Sequence, residues 1–183
     1  MNLFQGNRVK LTALTEQDAE IYADWSNDSE YLRNLDTDYA RPRSAEGYKS
    51  DIQATISDLT QMEFGIRQID NHKLIGFAAL NGIEWNNRAA HLAIGIGEKE
   101  YRSKGYGTEA IRLLLRYAFH ELNLNRVGLD VNDNNTAAIR AYEKCGFTVE
   151  GRMREGILRD GVKIDRIYMG LLYREWIALS KNE

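Results

Sequence analysis

The sequence predicts an α/β (α+β) fold in which helices flank a mixed, mostly antiparallel sheet. Three observations lead to this prediction. Three strand-like segments follow one another in the first half of the chain, a long amphipathic helix follows them, and Asp160-Gly161 is typical of a hairpin turn between two final strands. The predicted order of elements is β-α-α-β-β-β-α-β-α-β-β.

The bulk composition is that of an ordinary globular protein. At 183 residues, with 43% hydrophobic and 28% charged residues, we expect one domain over residues 1–183 with a sizeable core. A net charge of −3 argues against a nucleic-acid partner, which favours a basic face. The single cysteine, Cys145, excludes an internal disulfide. Because neither a secretory signal nor an apolar run of membrane-spanning length is recognisable, we expect a cytoplasmic protein with no membrane partner.

The first part of the chain predicts one strand and two helices before the three strands. Apolar and polar residues alternate over Arg8–Leu14, and Thr15–Asp18 is typical of a capping box that begins a helix reaching about Trp25. Asn27–Arg43 is predicted as a loop with at most a short helical turn. The next predicted elements are a helix from its Ser44 cap to about Thr60 and strands over about Glu63–Ile69, Leu74–Trp85 and Arg88–Ile96.

The second half continues with the amphipathic helix. Its apolar stripe is opposed by charged residues, and the stripe consists of Ile111, Leu114, Leu115, Ala118 and Leu122. A strand over Arg126–Val131 and a helix starting near Asn135 follow, and Gly146 is expected to end that helix in a left-handed conformation. The final two strands meet at the Asp160-Gly161 turn.

The segment Arg102–Thr108, here called the glycine loop, predicts an anion site. Gly105 and Gly107 can adopt backbone angles that a Cβ forbids, and they allow a ligand to approach closely. The helix that follows offers unpaired N–H groups and a dipole that favours negative charge. Arg102 and Lys104 add positive charge, so we expect a ligand that contains phosphate.

Two familiar phosphate loops fit this segment poorly. A Walker loop needs four residues between its glycine and the Gly-Lys-Ser/Thr group, and that order is missing. Gly105–Ala110 does match G-x-G-x-x-A, with Asp130 about 20 residues further on. In a Rossmann fold, however, the turn follows its strand directly, whereas the charged segment Glu98–Lys104 intervenes here. The motif also lies too far along the chain for a second nucleotide-binding half.

Two motifs together resemble the GNAT superfamily of acetyl-CoA-dependent N-acetyltransferases. Arg102-x-x-Gly105-x-Gly107 resembles the family's pyrophosphate loop, Gln/Arg-x-x-Gly-x-Gly/Ala. Asn135–Phe147 resembles its Asn-x-x-Ser/Ala-x-x-x-Tyr-Glu-Lys-x-Gly-Phe helix. The resemblance covers about Leu74–Trp176 and is similar in type to ribosomal-protein N-terminal and bacterial spermidine/spermine acetyltransferases. It implies a GNAT-like fold, acetyl-CoA as co-substrate and an amine acceptor.

The resemblance also implies a set of coenzyme contacts. No metal is expected, because His72 and His120 form no metal-ligand spacing with the single cysteine. Asn135 is a helix cap, a coenzyme contact or both, and Lys144 reaches a phosphate or is simply solvated. A backbone N–H near the end of the third of the three strands is implied as the oxyanion donor. The complete implied set is Ile94, Gly95, Ile96, Arg102, Ser103, Lys104, Gly105, Tyr106, Gly107, Thr108, Asn135 and Lys144.

The implied general acid is Tyr142. A phenol with a pKa near ~10 can protonate a thiolate whose acid has a pKa near ~8.5 only modestly uphill, so the step is feasible. The alternative is that Tyr142 only packs, since Ala138, Tyr142 and Cys145 share a helical face.

Two residues are candidates for the general base that removes a proton from the amine. Many relatives carry glutamate in the strand before the glycine loop, whereas this chain has His91 at that position. Glu84 on the neighbouring strand is the other candidate. A hydrogen-bonded strand histidine with no catalytic role, and deprotonation through water, remain open.

The acceptor stays open between a protein N-terminus, a polyamine and another small amine. Polyamine acetylation is the narrower alternative, and a coenzyme-binding regulatory module without catalysis is the alternative of a different class. Acidic loop residues border the acceptor site in this fold or are only solvated; they are Asp36 and Asp38, with Tyr39 beside them and Asp165 in the hairpin. A homodimer surface is expected from Tyr168, Leu171, Leu172 and Trp176.

Overall fold

A seven-stranded sheet runs through the computed structural model, which describes residues 2–180 without the side chain of Ser180. The strands lie in the order β1-β2-β3-β4-β5-β7-β6, and only β4 and β5 pair in parallel. The predicted mixed, mostly antiparallel sheet is therefore confirmed. The strands are β1 Val9–Thr12, β2 Met62–Gln68, β3 Leu74–Glu84, β4 Ala89–Ile96, β5 Arg126–Asn132, β6 Thr148–Arg159 and β7 Val162–Leu172.

Helices lie on both faces of this sheet. They are α1 Asp18–Trp25, α2 Ser29–Leu35, α3 Ala45–Ser57, α4 Tyr106–Arg116, α5 Thr136–Lys144 and α6 Tyr173–Ser180. A 3₁₀ turn over Lys99–Tyr101 precedes α4, and a π-helical turn over Tyr117–Glu121 extends it. The predicted order of elements is recovered, with α2 and α6 added. No described helix is both long and apolar enough to cross a membrane.

The main core lies between the sheet and α4 and α5. The apolar stripe of α4 is buried, as its spacing predicts, and packs with residues of β3, β4, β5 and β7. A smaller aromatic cluster covers the other face, where Tyr22, Trp25 and Tyr31 pack around Leu74. The central strands are therefore covered by helices on both faces, whereas β6 at the edge of the sheet is largely exposed.

Helix α2 replaces most of the loop predicted over Asn27–Arg43. Its N-cap is Asp28, whose carboxylate accepts hydrogen bonds from the N–H groups of Glu30 and Tyr31, each at 3.1 Å. The helix has only seven residues and is held by burial of Tyr31 in the aromatic cluster. A helix this short is marginal without tertiary contacts, so the sequence pattern predicted only a loop with at most a short helical turn.

Helix α6 was not predicted, and it changes the expected dimer surface. It begins directly after β7, where the carboxylate of Glu175 accepts a hydrogen bond from the N–H of Leu172 at 3.0 Å. Trp176 packs against Phe119, with ring centroids 5.2 Å apart, and Leu171 is completely buried. The four residues proposed for the dimer surface therefore do not share an exposed face, because α6 folds back onto the core.

Three local signals read from the sequence are confirmed. The side chain of Ser44 accepts a hydrogen bond from the N–H of Gly47 at the start of α3. Gly146 ends α5 with a φ of +96°. Asp160 and Gly161 both have positive φ at the β6–β7 turn, as a type I′ hairpin requires.

Candidate active site

The site lies where β4 and β5 separate. Their parallel pairing covers only Ala89–His91 against Arg126–Gly128, after which the two strands diverge. The remaining half of β4 therefore presents an open backbone edge to a gap. Two cavities occupy this gap, one of about 500 Å³ and one of about 280 Å³. Tyr142 of α5 lines both of them.

The larger cavity is bounded by α2, the end of β4, the glycine loop and α5. Gly105 precedes α4 with a φ of +86°, so glycine is required there. Gly107 already has helical backbone angles, contrary to the expectation that it needs glycine's freedom. A Cβ at Gly107 would lie 3.6 Å from Cγ1 of Ile96 and point into cavity space, so its role is to leave the helix N-terminus uncovered.

The guanidinium of Arg102 is occupied by the protein. Nε donates to the carbonyl of Ile96 at 2.9 Å, Nη2 donates to the carbonyl of Gly97 at 2.7 Å, and Nη1 pairs with Asp28 at 2.9 Å. It also lies over the ring of Tyr31 at 5.0 Å. The sequence suggested a free charge for phosphate. In the structure, Arg102 instead connects the end of β4, the glycine loop and α2 through these hydrogen bonds.

Two of the predicted coenzyme residues do not reach either cavity. Lys104 is exposed, and its carbonyl accepts a hydrogen bond from Arg8 at 3.0 Å. The ring of Tyr106 packs edge-on against Tyr101 and under Arg8, on the side of α4 away from the gap. Neither residue therefore lines the cavities, and their predicted coenzyme contacts stay predictions. Ser103, Thr108 and Lys144 do line the larger cavity.

The end of β4 and the start of α5 form opposite walls of the gap. Ile94, Gly95 and Ile96 line the larger cavity. A Cβ at Gly95 would lie 2.6 Å from the Tyr31 hydroxyl, so only glycine allows α2 to pack there. Asn135 caps α5 by accepting a hydrogen bond from the N–H of Ala138 at 3.2 Å, and it lines both cavities. Its capping role is confirmed.

Tyr142 is buried, with its ring edge-on against Phe147. None of the described residues hydrogen bonds to its hydroxyl, although the side chain lines both cavities. Burial, with the nearby charge of Asp130 as a smaller cause, raises the pKa of Tyr142 well above the usual phenol value of 10.0. The hydroxyl therefore stays protonated at physiological pH. Complete proton transfer from Tyr142 to a thiolate is less favourable than the ordinary phenol pKa of ~10 predicts.

The smaller cavity is polar, and its floor is one face of the sheet. Cross-strand neighbours place Asn81 beside His91, and Asn132 beside Arg166, on this face. Nε2 of His91 lies 2.9 Å from Oδ1 of Asp130. Nε of Arg166 donates to the other carboxylate oxygen of Asp130.

The ionisation of Asp130 determines which ring nitrogen of neutral His91 carries the hydrogen. Burial opposes ionisation of Asp130, but the hydrogen bonds from His91 and Arg166 outweigh it and lower its pKa to about 2. An ionised carboxylate can only accept hydrogen bonds, so we assign the ring hydrogen of neutral His91 to Nε2. Nδ1 then carries the free lone pair, and none of the described residues hydrogen bonds to it.

Glu84 does not belong to this constellation. It pairs with Ala89 at the hairpin end of β3, where its carboxylate accepts a hydrogen bond from the side chain of Asn87, and it lines neither cavity. Of the two candidate bases only His91 therefore lines a cavity, because a bulge between Asn81 and Glu84 leaves Glu84 paired with the first residue of β4 at the hairpin end.

Sequence reasoning missed Arg166 and gave Asp130 a different role. In the sequence, Asp130 fits only the acidic position that follows a Rossmann glycine motif, and none of the motifs includes Arg166. The available signal was the alternation of β5 and β7, where Asp130 and Arg166 are charged residues at half-buried positions beside buried apolar ones. That pattern shows which face they occupy, but not that β4 places a histidine beside them.

Comparison with known proteins supplies the family. A family model described as an acetyltransferase (GNAT) domain matches residues 8–148. The chain belongs to the GNAT acetyltransferase family. It is 35% identical over 139 residues, 74% of each chain, to YdaF of Bacillus subtilis, whose name provisionally marks it as a ribosomal N-acetyltransferase. It is 30% identical over 175 residues to spermidine N(1)-acetyltransferase of Escherichia coli K12, covering 95% of this chain and 91% of that one.

Solved structures agree with this GNAT assignment. The crystal structure of spermidine N-acetyltransferase from Vibrio cholerae in complex with CoA and spermine matches with a TM-score of 0.84 at 26% identity. The match covers 92% of this chain and 98% of that one. This GNAT protein is thus an acyltransferase that transfers an acetyl group to an amine, which favours the enzymatic interpretation over a non-catalytic coenzyme-binding module.

Proposed function

We propose that the larger cavity holds acetyl-CoA, that the smaller cavity holds a primary amine, and that the amine attacks the thioester directly. The observation that carries this proposal is the meeting of the two cavities at Tyr142, within the gap between β4 and β5. Direct attack needs both reactants in one place at contact distance, and two cavities with a shared wall provide that arrangement. A single seven-stranded sheet carries both cavities, which supports one acetyltransferase domain over residues 1–183.

The glycine loop and α4 suit the diphosphate of the coenzyme. The open N-terminus of α4 directs unpaired N–H groups and a positive dipole end toward the larger cavity. Lys144 lines the same cavity and adds a mobile positive charge, whereas Arg102 holds the loop in shape. The related Vibrio cholerae protein was solved in complex with CoA, which supports CoA as the ligand proposed for this cavity.

His91 is the proposed base. Its Nδ1 lone pair accepts a proton from the ammonium form of the acceptor, directly or through one water molecule, which leaves a neutral amine able to attack, and Asp130 stabilises the imidazolium that results. After addition, the nitrogen of the tetrahedral intermediate loses its extra proton to solvent. Arg166 keeps Asp130 ionised throughout, so the proton remains on His91 until solvent removes it.

Two further charges develop during the reaction, one on the carbonyl oxygen and one on the sulfur. The open edge of β4 stabilises the first, and Tyr142 stabilises the second. A backbone N–H among Ile94, Gly95 and Ile96 donates to the carbonyl oxygen as the amine nitrogen adds to the carbon. When the carbon–sulfur bond breaks, the electron pair leaves with sulfur, and the Tyr142 hydroxyl donates a hydrogen bond to the thiolate. Because burial raises the pKa of Tyr142, this donation stabilises the leaving group without requiring complete transfer.

A polyamine is the second candidate acceptor. The observation in its favour is that both a curated relative and the solved structure described above carry the name of spermidine acetyltransferases. Asp36 supplies one carboxylate to the wall of the smaller cavity that could pair with a cationic chain.

The test is release of free thiol from acetyl-CoA in the presence of a panel of amines and N-terminal peptides. In Tyr142→Phe, which keeps the ring packing, we expect kcat to fall by about 10- to 10⁴-fold with little change in acetyl-CoA affinity. Tyr173→Phe removes a hydroxyl from a ring of α6 that lines neither cavity, and should leave kcat unchanged. Thiol release that no amine accelerates would contradict the proposed function.

A further inference from the structure

The charge balance of the smaller cavity bears on the chemistry of the acceptor. Besides Tyr142, four ionisable side chains line it: Asp36, His91, Asp130 and Arg166. The charge of Asp130 is already used, since both of its oxygens accept hydrogen bonds from His91 and Arg166. One carboxylate, Asp36, and the outer part of one guanidinium are left to meet a ligand.

Arg166 engages the protein with only part of its guanidinium. Nε donates to Asp130, and the guanidinium carbon lies 5.6 Å from the centre of the Tyr168 ring. Its two terminal nitrogens make no hydrogen bond to any residue within the described part of the chain. The side chain is 30% exposed, and it lines the smaller cavity. These nitrogens form the forked donor pair that matches a carboxylate.

This arrangement is unfavourable for a polyamine. A polyamine carries several positive charges, and each would have to be placed in a cavity that holds a guanidinium and only one unused carboxylate. Asp36 is itself partly engaged, because its Oδ1 accepts the N–H of Thr37 at 2.6 Å. An acceptor with one positive and one negative group matches the cavity in both signs.

The size of the cavity agrees with a small acceptor. Its volume of about 280 Å³ lies at the lower end of the range for small-molecule sites, ~300–1,000 Å³. The cavity reaches from Arg166 to Tyr142, so an acceptor that fills it has its amine at one end and a group facing Arg166 at the other.

The geometry points to a small amine that carries a carboxylate a few bonds from its amino group, such as a free amino acid, with Arg166 as the residue that binds the carboxylate. This inference rests on the proposed function, since it assigns the acceptor of the same site. It makes Arg166 a specificity-determining residue in addition to its contact with Asp130.

The experiment compares acceptors that differ only at this group. Free L-amino acids and β-alanine are assayed against their amides, against diamines of equal length and against spermidine. Each kcat/KM is divided by the fraction of the acceptor present as free amine. We expect each carboxylate to exceed its amide by at least about 10-fold, because the amide leaves the guanidinium without its charged partner.

Variants separate specificity from a merely structural role. In Arg166→Gln the ratio between acid and amide should fall to about one, whereas a structural effect through Asp130 would lower both acceptors equally and preserve the ratio. Arg152→Gln is the matched control: this arginine of β6 is paired with Asp133 and Asp165 and lines neither cavity. Its ratio should remain that of the unmodified protein.

The carboxylate inference and the proposed function are contradicted by different results. Equal rates for acids and amides, or a preference for spermidine, would overturn the carboxylate inference while leaving amine acetylation intact. A lack of amine-dependent thiol release with every acceptor would contradict the proposed function itself.

Discussion

Nε2 of His91 and Oδ1 of Asp130 lie 2.9 Å apart and join β4 to β5. His91 is the last residue of β4 that pairs with β5, and Asp130 lies two residues past its partner Gly128. Beyond this point the strands separate and the cavities begin. The hydrogen bond therefore stands at the edge of the gap, with Arg166 holding the other oxygen of the same carboxylate. It fixes which nitrogen of His91 can take a proton.

Replacing His91 should affect catalysis, and replacing Glu84 should not. In His91→Gln we expect kcat/KM to fall by about 10²- to 10⁴-fold, the usual effect of losing a general base. Glu84→Gln should remain close to the unmodified enzyme, since Glu84 lines neither cavity. The measurement is kcat/KM against pH for several amines. If the profile is unchanged in both variants and its midpoint follows the pKa of each amine, water carries the proton and His91 is structural.

Closing the open end of α4 should prevent coenzyme binding. Gly107→Val places a side chain in the larger cavity next to Ile96, where the diphosphate would approach the helix. Calorimetry should show acetyl-CoA affinity at least about 10-fold weaker, with an unchanged far-UV spectrum. Gly151→Val is the control, because a Cβ there meets nothing within 4 Å. Equal affinity in both variants would place the coenzyme elsewhere.

Arg159 stabilises the loop over residues 36–38 at the smaller cavity. Its Nη2 donates to the carbonyls of Asp36, Thr37 and Asp38 at 3.1, 3.1 and 2.7 Å, and the first two of these residues line the cavity. Arg159→Met removes all three bonds while keeping much of the stem. We expect KM for the amine to rise about 3- to 30-fold, with stability lower by roughly 1–2 kcal/mol.

Affinity for acetyl-CoA should be unaffected in Arg159→Met, because the loop does not line the larger cavity. Lys163→Met, which removes an exposed cation of the same hairpin, serves as the control. If KM changes equally in both variants, the change is caused by loss of positive charge from the hairpin and not by loss of the hydrogen bonds from Arg159 to the loop.

Asp130 should make stability depend on pH in acid. Its pKa in the folded protein is about 2, below the usual 3.8, so its ionised form contributes stability above about pH 4. This contribution is lost as the pH falls from about 4 to about 2. The free energy of unfolding in urea should therefore decrease by roughly 1–2 kcal/mol more in the unmodified protein than in Asp130→Asn over that interval. Parallel curves would mean that Asp130 is not held ionised by its neighbours.

Much of the architecture was predictable because it depends on local chemistry. The stripe of α4, the Asn135 cap, the Gly146 terminus and the Asp160-Gly161 turn each follow from interactions within a few residues, and each is confirmed. The boundaries that failed depend on distant partners: α2 needs the aromatic cluster that buries Tyr31, and α6 needs the core around Phe119.

The sequence by itself determined the motifs: a glycine loop before an amphipathic helix, and an Asn135–Phe147 motif whose helix carries Tyr142. Only the tertiary structure decided how these residues are used. It turned Arg102 toward Ile96, Gly97 and Asp28, left Glu84 at the far hairpin, and brought His91, Asp130 and Arg166 together from three strands. The physical reason is that side-chain spacing along one strand or helix is fixed by local geometry. Contacts between strands, in contrast, depend on register and on the place where β4 and β5 stop pairing.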